Sequence, residues 1–161
     1  MMFDTDTLRL AAAWSSDAAG KSGENFINWR GIQLNGEHQI HPRITGPIAF
    51  ANGMGPGWAN PSRGDFQDDL RVLGRDERRY GPLPRDWAKY QGLYRHDDGI
   101  VLKYSAPGRV LLDSPQLVTL DKQALFVRTI KPVAGNAVTL VLPDVPAGQA
   151  TTTQKQLVGP T

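Results

Sequence analysis

With 161 residues, 40% hydrophobic and 21% charged, the chain has ordinary globular composition, which excludes intrinsic disorder and is long enough for one domain with a real core. It has no cysteine, which excludes disulfides, thiolate zinc sites, cysteine nucleophiles and covalent haem attachment. The 18 basic and 16 acidic side chains leave a net charge of +2 with no consecutive basic block, so nucleic acid is not an expected partner.

Seventeen Gly and twelve Pro exceed what a helical bundle tolerates, because Pro removes a backbone donor and Gly raises the entropy cost of ordering. Many short strands joined by long loops are therefore expected. In chain order, Phe3 to Trp14 alternates Leu8, Leu10 and Ala12 with Arg9, Ala11 and Ala13, which predicts a strand with one buried face. Ser15 to Gly23 is a turn-rich break. Asn25 to Leu34, with Phe26, Ile27, Trp29, Ile32 and Leu34, predicts a strand pair interrupted near Arg30-Gly31.

From Asn35 to Tyr80, Gly and Pro punctuate a stretch with one strand, Ile48 to Ala51. Loops this long in a compact domain bind something or pack against a neighbour. Within it, Arg71, Arg75, Arg78 and Arg79 are offset by Asp68, Asp69, Asp76 and Glu77, the pattern of a solvated loop or short helix face. Beyond Trp87 the turn strings Asp97-Asp98-Gly99 and Ala106-Pro107-Gly108 separate apolar runs that read as hairpin strands. Two further strands are predicted, Ala124 to Lys131 and Ala137 to Leu142, separated by Gly135-Asn136. The expected architecture is a mainly β, antiparallel β-sandwich over residues 1–145, with a distorted barrel second and 146–161 a flexible tail or linker.

No apolar run approaches the ~20 residues that span a bilayer. The N-terminus lacks the basic and apolar regions of a signal peptide, so any export signal is expected to lie outside this segment.

Phe3-Asp-Thr-Asp-Thr-Leu-Arg-Leu-Ala-Ala-Ala-Trp14, Gly55-Pro-Gly-Trp-Ala59, Tyr80-Gly-Pro-Leu-Pro-Arg-Asp-Trp-Ala-Lys-Tyr90, Gly92-Leu-Tyr-Arg-His96 and Val101-Leu-Lys-Tyr104 occur in an order that resembles domain-of-unknown-function family 6797. The resemblance runs from about Phe3 to Ile130. It implies an exported, extracytoplasmic setting (periplasmic or secreted) and a multidomain parent of the planctomycete type, often with a β-propeller and a c-type cytochrome segment. It implies no activity and no catalytic residue.

Four aromatic residues, Trp58, Tyr80, Trp87 and Tyr90, surround Gly/Pro-rich corners and are the candidate carbohydrate contacts, since sugar C–H groups stack on π faces. Filling the space between sheets or docking on another domain is the competing reading of the same rings. Asp4 and Asp6, two apart, project from one face of a strand and are a candidate metal or acid–base pair. Capping a turn or pairing with Arg9 is their competing role. His38 and His41 sit beside Pro42 and Gly36, which oppose the helix that a His-x-x-His metal site needs. The Gly53 to Gly57 stretch lacks the following helix of a phosphate loop. No cofactor is called for.

The residues therefore point to a non-catalytic module that binds carbohydrate or packs against a neighbouring domain, and the resemblance implies that it belongs to a larger exported protein. A sugar-active hydrolase or lyase using Asp4, Asp6 and Arg85 or His96 is the enzymatic alternative, and a structural spacer is the third.

Overall fold

The structure, a computed structural model, describes residues 1–14, 27–28, 43–44, 46–97, 99–120 and 123–134. The described residues form eleven strands: β1 Met2–Asp4, β2 Arg9–Trp14, β3 Ile27–Asn28, β4 Arg43–Ile44, β5 Ile48–Ala51, β6 Val72–Leu73, β7 Arg79–Tyr80, β8 Lys89–His96, β9 Gly99–Ala106, β10 Arg109–Leu120 and β11 Gln123–Ala134. They contain no helix. Every pairing is antiparallel: a three-stranded sheet in the order β1-β2-β5, a four-stranded meander in the order β11-β10-β9-β8, and the pairs β3–β4 and β6–β7. The chain is mainly β, as its Gly and Pro content requires.

The meander grows from strong local signals. Hairpin turns fall at Asp97 and at Pro107-Gly108, where Asp97 (φ 47°) and Gly108 (φ 71°) take the left-handed conformation that tight turns demand. In β9, Leu102, Tyr104 and Ala106 are buried while Val101, Lys103 and Ser105 are half-buried, the period of two of a strand with one core face. β5 occupies the predicted Ile48 to Ala51. β3 lies within Asn25 to Leu34, whereas the strand expected at Ala137 to Leu142 and the tail lie outside the described residues.

Two expectations differ from the structure. The opening segment is not one strand with one buried face but a hairpin. β1 pairs with β2 (Asp4 opposite Arg9), and Ala11 and Ala13, read from the sequence as outward, are 5% and 0% exposed. β2 is the centre of its sheet, and alanine is small enough to sit under cover on either face. The arginine-rich stretch is neither a helix face nor a wholly solvated loop; it includes the short hairpin β6–β7, and Arg71 lies largely under its neighbours.

The core lies where the small sheet meets the meander. Leu8, Leu83, Trp87, Ala88, Leu102, Tyr104, Ala106 and Leu111 form one buried cluster, with Phe3, Trp58, Tyr90 and Ile130 against it. Phe3 from β1 and Trp58 from the Gly/Pro-rich loop each place a ring near Tyr104, at centroid distances of 5.8 and 5.9 Å. Thus β1 of the small sheet and the Gly/Pro-rich loop together cover the core face of β9.

The contact depends on the turn between β1 and β2. Leu8 is left-handed (φ 53°) yet only 1% exposed. That conformation costs a non-glycine residue about 1–2 kcal/mol, which the roughly 1.5–3 kcal/mol from full burial of a leucine side chain offsets. Two strings hold the turn in place: the Gly57 N–H donates to the Thr7 carbonyl (2.7 Å) and the Leu83 N–H to the Asp6 carbonyl (2.9 Å). At Gly57 the loop crosses so close that a Cβ would lie 2.1 Å from the Leu8 carbonyl oxygen and 2.8 Å from Arg9 Cα. Both obstacles are backbone, so neither moves cheaply.

Gly57→Ala is therefore expected to destabilise the fold by about 2–3 kcal/mol, at the upper end for an overpacked site. Gly53→Ala, where a Cβ meets nothing within 4 Å, should stay within about 0.5 kcal/mol. Urea midpoints of the two variants check this, and equal midpoints would remove the close-crossing argument.

Candidate functional site

The four aromatic candidates do not share one surface. Trp87 is 2% exposed and its indole N–H donates to the Trp58 carbonyl at 3.0 Å, so neither of its faces is open to a ring stacking from solvent. Trp58 is half-buried against Tyr104, and its own indole N–H finds no acceptor among the described residues. Tyr90 is half-buried against the core. Tyr80 alone is well exposed, at 51%; its ring lies over Gly74 and its hydroxyl donates to Asp76 at 2.6 Å. Accepting that bond lowers the Asp76 carboxyl, and donating it raises the Tyr80 phenol.

Asp4 is occupied by its own turn. Its carboxylate accepts the Thr7 hydroxyl (2.7 Å) and the N–H groups of Asp6 (3.0 Å) and Thr7 (3.3 Å), and lies 3.6 Å from Arg9. Partial burial pushes the carboxyl up, but the Thr7 hydroxyl, these amides and Arg9 outweigh it and leave it below its ordinary value. It therefore behaves as an Asx-turn residue. Asp6 is exposed and gives its backbone carbonyl to Leu83. Among the described residues no group of three or more His, Asp or Glu side chains is gathered to hold a metal ion. His96 pairs with Asp97 (2.9 Å) on an exposed turn, and Arg85 makes no side-chain hydrogen bond or ion pair among the described residues. His38 and His41 lie outside them.

The Gly/Pro-rich loop is tied down by its own polar groups. Asn60 is buried and its side-chain oxygen accepts the N–H groups of Ser62 and Arg63. Arg63 grips Asp69 with two nitrogens, at 2.9 and 3.0 Å, and Asp65 at 3.1 Å. Arg71 bonds Asp68 at 2.6 and 2.8 Å and the Gly81 carbonyl at 2.8 Å. Beside Trp87, an open depression of about 400 Å³ is lined by Arg85, Asp86, Ser105 and Arg109 among others.

The most deeply placed charge among the described residues lies elsewhere. Asp113 in β10 is 0% exposed and accepts the Tyr104 hydroxyl at 2.8 Å. Arg128 in β11 reaches the same carboxylate through Nε (3.0 and 3.1 Å) and Nη2 (2.6 Å). Burial lowers the Arg128 guanidinium, but the bonds to Asp113 outweigh it, and its affinity for its proton rises. Tyr104 is pushed far up, first by burial and then by the Asp113 charge. A saturated carboxylate with no exposed surface cannot meet a substrate, so the triad is a structural pin across three strands. Its signal was present in the sequence. Asp113 is in phase with Leu111, and Arg128 is in phase with Phe126 and Ile130, so opposite charges share the core face of successive strands.

A family model described as Domain of unknown function (DUF6797) matches residues 1–113. The chain belongs to this family. The match carries β1 through Asp113 of β10, and so includes the Leu8 turn, the Gly57 crossing and Tyr104. No curated protein and no solved structure matches the DUF6797 chain. No helix of its described residues is long and apolar enough to cross a membrane.

Two predictions follow from the charges of this domain. Arg128→Met leaves Asp113 buried without its cation and should cost about 3–5 kcal/mol. The double variant Asp113→Asn/Arg128→Met should recover part of that loss, measured as a coupling energy by urea unfolding. Asp4 has a folded value below its unfolded one, so its contribution is complete above the ordinary aspartate value and disappears as pH falls through the folded value. Wild type should exceed Asp4→Asn by about 1 kcal/mol at neutral pH. The gap should close in strongly acidic buffer; a gap independent of pH would show that charge is not what Asp4 contributes.

Proposed function

We propose that this DUF6797 domain is a non-catalytic β-sandwich module that packs against a neighbouring domain through the far end of the β10–β11 hairpin. One observation carries the reading. The ladder between β9 and β10 ends at Asp113, whereas β10 and β11 stay paired to Leu120 opposite Gln123. Beyond the sheet the hairpin is, among the described residues, a two-stranded ribbon, an arrangement marginal in water by itself. It exposes Leu117 (58%), Val118 (40%), Leu125 (39%) and Val127 (36%). Leu117 lies opposite Phe126, and Val118 opposite Leu125 one residue on, so apolar side chains occupy both faces. Apolar surface on a protruding element marks an interaction site.

Carbohydrate contact is the second reading, favoured by the half-open ring of Tyr80; Trp58 and Trp87 serve the core in either case. The exported setting implied by the family resemblance is part of the same proposal.

The test is sedimentation over a range of concentrations, with binding of a hydrophobic dye, for the wild type and for Leu117→Lys/Val127→Lys. The wild type should self-associate and bind dye, and the double variant should remain monomeric with an unchanged near-ultraviolet spectrum. A wild type that is monomeric and dye-silent would overturn the docking role.

A further inference from the structure

We propose that the outer face of the meander, the one turned away from the core, binds an acidic polysaccharide carrying carboxylate or sulfate groups at intervals. The register places three lysines there. Lys103 in β9 is opposite Leu112 in β10, and Leu112 is opposite Lys131 in β11. Directly opposed residues project from one face, so the Cα positions of the two lysines flank Leu112 about 10 Å apart, two strand spacings. Lys89 in β8 is opposite Ser105, which places it one strand over and two residues along from Lys103, about 8 Å away.

Among the described residues no carboxylate pairs with them. The only acidic residue in β8 to β11 is Asp113, and it is buried on the core side, spent on Tyr104 and Arg128. None of the three lysines makes a side-chain hydrogen bond or ion pair among the described residues, and Lys89 and Lys131 are exposed. This is unlike the arginines of the Gly/Pro-rich loop, where Arg63 and Arg71 each hold an aspartate. The small net charge of the whole chain hides a sheet face on which the strands' own charged residues are of one sign.

The distribution selects the partner. Lysine is depleted from the dry centre of protein–protein interfaces, yet Lys103 stands on an interior strand in the middle of this face. A solvated polyanion leaves such a cation hydrated and still attracts it. Tyr94, 53% exposed and opposite Val101 on the same face, supplies one ring for sugar C–H stacking. A single ring is a poor match for single-stranded nucleic acid, which needs a series of stacking platforms. The surface is separate from the ribbon tip and from Trp58, Tyr80, Trp87 and Tyr90.

The experiment uses the full chain, with polygalacturonate and dextran sulfate as probes and neutral dextran and single-stranded DNA as comparisons, followed by affinity electrophoresis at low and high salt. Wild type should be retarded by the acidic polymers and not by dextran, and salt should release it because exposed charges are screened. Lys103→Glu/Lys131→Glu should weaken binding roughly tenfold or more. Lys89→Glu alone should give a smaller loss, and Arg78→Glu, an exposed charge on the β6–β7 hairpin, should change little. Unfolding curves accompany each variant, and if the double variant fails to fold, the Lys89→Glu comparison with Arg78→Glu decides. Any of three results would overturn the proposal: no retardation of wild type, equal losses at Arg78 and on the lysine face, or tighter binding to DNA than to the polysaccharides.

Discussion

A leucine stays in a left-handed turn only if its surroundings make every other arrangement worse, and here that duty falls on backbone rather than on side chains. Leu8 is held because the loop at Gly57 crosses directly over its carbonyl and the segment at Leu83 bonds the residue two before it. With the turn fixed, Leu8 and Phe3 reach the face of β9 and meet Tyr104. The Gly-Pro-Gly-Trp and Gly-Pro-Leu-Pro strings are thus parts of one clasp, with Trp58 and Trp87 joined across it by a hydrogen bond. The small sheet, the long loop and the meander share a core because they converge on this turn.

The meander was legible from Trp87 onward because its turns are encoded locally, by Asp97 and Gly108, and its strands alternate with period two. The opening hairpin was not legible, since Asp4 to Leu8 contains no glycine and the turn there is made by a carboxylate accepting three donors. The aromatic candidates show a different limit. Composition places tryptophans beside glycines but says nothing of depth, and Gly57 is present so that the chain can approach a carbonyl rather than to bare an indole. Asp113 and Arg128 were visible as in-phase opposite charges, but only the pairing of β10 with β11 shows that they meet.

The two surfaces proposed to act differ in physical character, and both are properties of the sheet rather than of the Gly/Pro-rich loop. The ribbon tip is apolar on both faces and projects past its neighbours, so it gains by losing water. The outer face of the meander keeps its lysines on a half-apolar ground and gains by meeting charge. They share the β10–β11 hairpin, so one element could be engaged at its tip and along its flat side at once.

The place where the family match stops has its own consequence. Residue 113 is a carboxylate with no contact to water, and the guanidinium that neutralises it stands fifteen positions later on the last described strand. A polypeptide trimmed to the matched segment would retain the anion and lose its counterion along with the strand that carries it. The matched segment therefore stops short of the ion pair that neutralises its last residue, and a shorter version keeps that pair only if it extends through Arg128 and on to Ile130, a residue of β11 that packs against the core.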